Sequence, residues 1–538
     1  MISLMPSWLK NKPIHLFYFI FITGFSILVI EFTAVSFLEP YFGKNNITWA
    51  LIIALVMTSL CLGYILGGKY ADKYTEIKGL YHLLNLSGLY LIGLPFFGKW
   101  LLYQYYFQAS KLVSVNMMMI LGTVIATVLL FGPPLITLAM AEPYIIKWYS
   151  KKLENSGTQI GEMFAWATLG GLIGLYITTL LLIPSCGSNV TFVIIGTLLC
   201  LSSTWMLITN KRYFIIIPIL CFICIGIIAK QPLTGHKNLY VSLIHQTNKI
   251  KNTSFYDGKI PDIIYEAETH YQYIQIAETT DSRWLLLGSP GKYFQSIYKK
   301  NTILTGKYCD YYYLLPFLTQ QPETPDILIL GLAGGSISRG IKHFFPNSKI
   351  DGVEIDSKVI NIAKQFFDID KQNINIINQG AREYIKNCQK KYDIIIMDTF
   401  TNNNIPWHLT TTEFFTHVKK QLKKDGFLAI NTIEKVRDVQ LSMLNTLSNV
   451  FNYTYHHPNA QKKLKKQILA SNIPLPTEQL AIKPTHPLYI YAKFYKNTLT
   501  HIPHNKEKII ITDNKAPTNY LLNKYHIKTI TTELTKPN

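Results

Sequence analysis

Hydrophobic residues are unevenly spread along this chain. Before Lys230 they gather into seven runs, near 15–37, 48–67, 81–98, 113–140, 160–184, 189–208 and 213–229. A helix satisfies its own backbone hydrogen bonds, so an apolar run of about 20 residues can cross a bilayer. The fourth run contains Gly132, Pro133 and Pro134 and is expected not to be a simple span. After residue 240 the period changes. Tyr271, Tyr273, Ile274 and Ile276, then Trp284 to Leu287, predict a small β domain. Beyond it strands at 327–330, 350–353, 374–377 and 394–397 alternate with helices at 336–344, from 357 and from 381. Such alternation predicts a parallel sheet covered on both faces. The expected organisation is a polytopic α-helical membrane domain over 1–232, a small β-strand domain over 240–305, and an α/β domain over 306–538.

Composition supports the split. Of 538 residues, 49% are hydrophobic and only 16% charged, too apolar for an ordinary soluble enzyme. The net charge of +20 does not point to nucleic acid, because the lysines are scattered rather than gathered into a stripe with interleaved aromatics. Lys10, Lys12, Lys69, Lys73, Lys78, Lys147, Lys151, Lys152, Lys211 and Arg212 fall on one side of alternating spans, against Lys44, Lys99 and Lys111 on the other. That bias places the N-terminus in the cytoplasm. Seven crossings would put the second half outside; because the fourth run is not a simple span, seven is not taken as the crossing count and the second half is expected on the cytoplasmic face. The seven cysteines form no disulfide framework, and Cys221 and Cys224 read as packing residues of the last run. Glu31 lies inside the first run, where an ionisable group marks either a functional site or an interhelical contact. Gly170, Gly171 and Gly174 would let the fifth helix pack closely on a neighbour.

The chemistry is concentrated in the second half. The stretch Ile327-Leu-Ile-Leu-Gly331-Leu-Ala-Gly334-Gly335-Ser336 runs an apolar strand into a glycine turn that opens a helix. Such a turn lets backbone amides approach a ligand. The next strand ends in Val353-Glu354-Ile355-Asp356, where an acid can accept hydrogen bonds from both ribose hydroxyls of an adenosine. Asp398 closes the strand Tyr392-Asp393-Ile-Ile-Ile-Met at the carboxyl edge of the sheet. There a carboxylate can take a proton from an attacking amine, cap a helix or brace a loop.

These residues resemble the spermidine synthase family, and more closely its bacterial members fused to a transmembrane region. The stretches that carry the likeness are Tyr271-Gln272-Tyr-Ile, Gly331 to Gly335, Val353 to Asp356, Ala381-Arg-Glu-Tyr384 and Tyr392 to Asp398. The fused group is resembled further by Gly306 to Tyr311, Ile405 to Phe415, Thr512 to Pro517, Glu31 to Gly43 and Gly63 to Asp72. The resemblance implies a Rossmann-like S-adenosylmethionine-dependent transferase fold. It implies transfer of an aminopropyl group from decarboxylated S-adenosylmethionine, the co-substrate, to putrescine or a related amine, with no metal. Asp398 matches the catalytic base. Gly331, Gly334, Gly335, Glu354, Asp356 and Ala381 match the nucleoside site, and Tyr271, Gln272 and Asp310 the substrate site. The sequence departs from the family at Ala333, Gly380 and Thr401, which stand where synthases carry aspartates. Each lost charge-assisted hydrogen bond is worth roughly 1.5–3 kcal/mol.

The first expectation is therefore a multi-pass cell-membrane aminopropyltransferase, whose partners are a small amine and the lipid bilayer, with homo-oligomerisation open. Ala333 motivates an alternative, an enzyme of the same fold that methylates with ordinary S-adenosylmethionine. Glu31 and the apolar runs motivate another, a non-catalytic membrane transporter or sensor that binds polyamine or nucleoside.

Overall fold

The computed structural model describes residues 14–42, 46–74, 76–112, 115–150, 156–208, 259, 261–269, 271–288, 294–400, 405–433, 437–458, 465–502 and 510–514. The chain forms two compact units, Met1–Lys249 with Ile264–Tyr273, and Ile250–Ile263 with Ile274–Asn538.

In the first unit, six stretches among the described residues are long and apolar enough to cross a membrane: His15–Glu39, Trp49–Lys73, Lys78–Leu102, Ile120–Tyr149, Gly157–Leu182 and Gly187–Leu207. They lie on helices α1 (Ile14–Phe42), α2 (Asn46–Lys73), α3 (Lys78–Leu112), α4 (Val115–Ala126), α5 (Gly132–Ser150), α6 (Ser156–Ile177) and α7 (Ile183–Ile208). The seventh apolar run, with Cys221 and Cys224, lies outside the described residues.

Helix pairing follows small residues. A Cβ on Gly170 of α6 or on Gly24 of α1 would strike the other helix's backbone carbonyl, at Phe21 and Ala167 respectively. On α2 and α5, a Cβ at Gly67 would lie 2.6 Å from the Cα of Met140. On α3 and α7, Gly88 and Gly196 face each other, each 2.5–2.6 Å from the other's carbonyl oxygen by the same construction. Small residues let helix backbones approach this closely, and such contact supplies van der Waals packing energy.

The expected break at Gly132-Pro133-Pro134 does not occur. Instead α4 runs through a π-helical turn, Thr127–Phe131, directly into α5, and the amide of Gly132 donates to the carbonyl of Thr127. Each proline removes an amide and crowds the carbonyl four residues back. The wider turn takes up that misfit, because Leu129 and Leu130 lie inside it. The carbonyl of Leu129, the one orphaned by Pro133, accepts a hydrogen bond from the Tyr90 hydroxyl at 2.6 Å. A second π turn, Thr178–Leu182, precedes Pro184 in the same way.

The residues of strand β1 (Asp262–Glu268) are divided between the two units; the second unit holds β2 (Tyr273–Glu278) from Ile274 onward, β3 (Ser282–Leu287) and β4 (Phe294–Lys299), paired antiparallel in sequence order. Trp284, Leu285, Leu286 and Leu287 are all buried, so β3 is a core strand covered on both faces. The α/β part follows with β5 (Asp326–Leu330), α8 (Ser336–Phe344), β6 (Lys349–Glu354), α9 (Ser357–Phe367), β7 (Asn375–Asn378), α10 (Ala381–Asn387), β8 (Tyr392–Met397), α11 (Thr412–Gln421), β9 (Leu422–Ile433), α12 (Arg437–Val450), β10 (Tyr453–Pro458), β11 (Lys465–Ser471), α13 (Tyr489–Thr498) and β12 (Thr500–His501). The eight strands lie in the order β12-β10-β11-β9-β8-β5-β6-β7. The five from β9 to β7 are parallel. Between β6 and β8 the winding reverses at β5, and open α/β sheets bind ligands at the carboxyl ends of the strands at such a point.

Candidate active site

The glycine turn after β5 is built from unusual backbone angles. Gly331 has φ +85° and Gly335 φ +73°. A side chain at Gly331 would sit 2.5 Å from the carbonyl oxygen of Asp398, so this position needs glycine for both angle and room. Ala333 also lies in the left-handed region, with φ +48°. An aspartate would tolerate that angle better, since its short polar side chain suits it.

Four strands converge on this turn. The amides of Gly331 and Leu332 donate to the carbonyl of Val353 on β6. The amide of Ala333 donates to Glu354 Oε2 at 3.0 Å, and that of Asp356 to Oε1 at 3.1 Å. Burial pushes the Glu354 carboxyl up, and these amides pull against the rise. A carboxylate has about four acceptor positions, so two amides leave capacity for further donors. Asp356 serves its own helix, accepting the amide of Lys358 as N-cap of α9. On the next loop, Gln379 and Asn378 donate to the Glu354 carbonyl, which brings Gly380 and Ala381, the start of α10, beside the same strand end. A Cβ on Gly380 would meet only Ile355 Cδ1, at 3.8 Å.

Asp398 follows β8, its amide bonded to the carbonyl of Leu330 at 2.9 Å. Its Oδ2 accepts the Tyr308 hydroxyl at 2.9 Å and its Oδ1 accepts Asn431 Nδ2 at 2.7 Å. Burial, then the neighbouring Asp398 charge, pushes the Tyr308 phenol well above its ordinary range, so it stays a proton donor in this pair. A small cavity opens beside Asp398, lined also by Gln295, Ser296, Gly331, Ala333 and Ser336. Strand β4 forms its wall: the Ser296 hydroxyl accepts the amide of Gly334, and the Ser336 hydroxyl exchanges hydrogen bonds with both the amide and the carbonyl of Ile297.

The structure thus brings Gly331, Gly334, Gly335, Glu354 and Asp398 together, with Asp356 and Ala381 at the flanks. Asp310 is fully buried, and its carboxylate accepts from Thr305, Gly306 and Tyr491. Burial raises its pKa against those bonds. Tyr271 and Gln272 lie in the first unit, in a turn where Thr269 Oγ1 accepts both their amides. Thr401 lies outside the described residues. Three further stretches singled out in the sequence meet at one clamp: Arg382 donates to the His408 carbonyl and pairs with Asp513, whose amide donates to Glu413. Sequence reading missed Ser296, Tyr308 and Asn431 as site residues. Two of them carried a signal: Tyr308 lies within the Gly306 to Tyr311 stretch, and Asn431 is a polar residue ending the apolar run Phe427-Leu-Ala-Ile430 at a strand's carboxyl end.

The spermine/spermidine synthase domain matches residues 315–472. A probable polyamine aminopropyl transferase of Bifidobacterium longum is 31% identical over 198 residues, 37% of this chain and 43% of that protein. The polyamine aminopropyltransferase of Vibrio vulnificus is 30% identical over 275 residues, which span 48% of this chain and 91% of its own length. Among solved structures, a probable spermidine synthase from Corynebacterium glutamicum aligns with 46% of this chain and 95% of its own length, at 15% identity and a TM-score of 0.39. Similarity at this level across nearly the whole Vibrio protein is a family relation, and the chain belongs to the spermidine synthase family of polyamine aminopropyltransferases.

Proposed function

We propose that this chain transfers an aminopropyl group from decarboxylated S-adenosylmethionine to putrescine or a related amine, from a domain anchored to the bilayer by its apolar helices. The observation that carries this reading is Asp398 at the end of β8, held beside the Gly331 turn with Glu354 one strand away. The adenosine lies along the turn, its ribose hydroxyls donating to Glu354. The amine nitrogen attacks the carbon next to the sulfonium. As the new N–C bond forms, the C–S bond breaks and its electron pair stays on sulfur, leaving neutral methylthioadenosine. Asp398 takes the proton the nitrogen loses. Tyr271, Gln272 and Asp310 are carried as substrate-binding residues on the family resemblance alone.

The test uses the full chain in detergent or nanodiscs with decarboxylated S-adenosylmethionine and putrescine. Methylthioadenosine should form, and Asp398→Asn should lower its rate by about 10²–10⁴-fold. A folded wild-type protein that releases none would reject the reading. Because Ala333 withholds a carboxylate from the aminopropyl ammonium, calorimetry against ordinary S-adenosylmethionine is the companion measurement, and a preference for the ordinary compound would favour methyl transfer. The cytoplasmic placement of the catalytic half is tested by reporter fusions after residue 230.

A further inference from the structure

We propose that Asn431 is a positioning residue, which together with Tyr308 sets the orientation and basicity of the Asp398 carboxylate. This rests on the reading of Asp398 as the proton acceptor. The backbone of Asp398 is pinned by its amide bond to Leu330. That leaves rotation of the carboxylate undetermined. Two side chains remove this freedom, one on each oxygen: Tyr308, on the 3-10 helix Tyr308–Leu318, and Asn431, on β9.

The placement of Asn431 argues for a purpose beyond packing. Residues Phe427, Leu428, Ala429 and Ile430 before it are fully buried, and Asn431 itself is 2% exposed. An amide at such a position is unfavourable unless its polar atoms are paired. Here the pairing partner is the reacting group. Strand register makes the arrangement rigid, because Ile430 pairs with Met397, the residue before Asp398, and Asn431 pairs across with Gln467 on β11. Both donors are neutral. They favour the ionised carboxylate without the stronger suppression of basicity that a lysine or arginine would impose.

Removing either donor therefore has two signatures. A carboxylate free to rotate leaves its attack geometry, which lowers kcat, and loss of a hydrogen bond to the charged form raises its pKa. For Asn431→Leu and for Tyr308→Phe, kcat should fall by about 10–100-fold. Methylthioadenosine affinity should stay within about twofold by calorimetry, and the acid limb of the kcat–pH profile should move to higher pH. Asn431→Asp should move the limb further, since two carboxylates at this separation share a proton. Tyr308→Phe deletes only a hydroxyl and keeps the question answerable if Asn431→Leu does not fold. Unchanged kcat and an unmoved acid limb in the folded variants, with active wild type and inactive Asp398→Asn, would overturn the positioning role alone. Full turnover by Asp398→Asn would instead remove the base assignment on which it rests.

Discussion

Glycine is used in opposite ways in the two units. In the membrane-type unit, Gly24, Gly67, Gly88, Gly170 and Gly196 sit in ordinary helical backbone, and what they provide is the missing side chain, so that two helices touch backbone to backbone. At the turn after β5, Gly331 and Gly335 provide a backbone angle that other residues resist. There, too, the closeness is to main chain, at the carbonyl of Asp398. The same residue type therefore carries packing energy in one unit and site geometry in the other. Substitutions in the two should fail differently, one through assembly of helices and the other through the shape of the site.

The sharpest way to break the comparison is Gly170→Leu. Its side chain would displace α6 from the α1 backbone, and a loss of about 3 kcal/mol or more is expected, read as a collapse of the melting transition in detergent. Neighbouring glycines on α2 supply the control. Gly67→Ala should destabilise because its Cβ meets Met140, whereas Gly68→Ala, with open space around it, should be neutral or stabilising by about 0.5 kcal/mol. If both alanines behave alike, close approach is not what the α2–α5 pair needs.

Gly331→Ala should cost about 2–3 kcal/mol, combining the left-handed angle with the clash at Asp398. It should also lower turnover, a loss that Gly67→Ala, remote in sequence from every residue placed in the site, should not share beyond its effect on folded yield. Equal specific activities for the two folded variants would erase the distinction.

A smaller effect concerns the sheet beneath the site. Asp351 is buried, which alone would raise its pKa, but bonds from Lys390, Asn375 and Tyr392 outweigh this and hold it low. A depressed folded pKa contributes stability above the unfolded value, near about 4, and that stability is lost as pH falls through the folded value. Lys390 is partly exposed, so Lys390→Met should lose only about 1 kcal/mol at pH 7 by urea unfolding, shrinking towards nil in acid. A difference independent of pH would refute the electrostatic account. Smallest of all, Ala333→Gly should gain about 0.5 kcal/mol, because relief of the left-handed angle is partly offset by the freer unfolded chain. A loss in melting temperature would show that the angle carries no strain.

Much of the α/β part was legible because its signals are local. The strand expected at 327–330 is Asp326–Leu330, and the helices expected at 336–344, from 357 and from 381 begin at Ser336, Ser357 and Ala381. Apolar periodicity and glycine placement act within a few residues, so they can be read in order. The fourth apolar run, interrupted by a π turn yet continuous, shows the converse. A Gly-Pro-Pro sequence breaks an isolated α-helix, but the orphaned carbonyl here is satisfied by Tyr90, 39 residues away. That Asp356 also caps α9, accepting the amide of Lys358, is a second role for a residue the family resemblance places in the nucleoside site.

By itself, then, the sequence determined which segments are helix or strand, where the apolar excess lies, and that a glycine turn, Glu354 and Asp398 end three strands. These follow from period and residue type, which need no partner. Only the tertiary structure decided what surrounds the Asp398 carboxylate. Tyr308 and Asn431 lie 90 and 33 residues from Asp398, and Ser296 lies 38 residues from the amide it accepts. A hydrogen bond acts over about 3 Å and depends on where the chain returns in space, not on how far it has travelled.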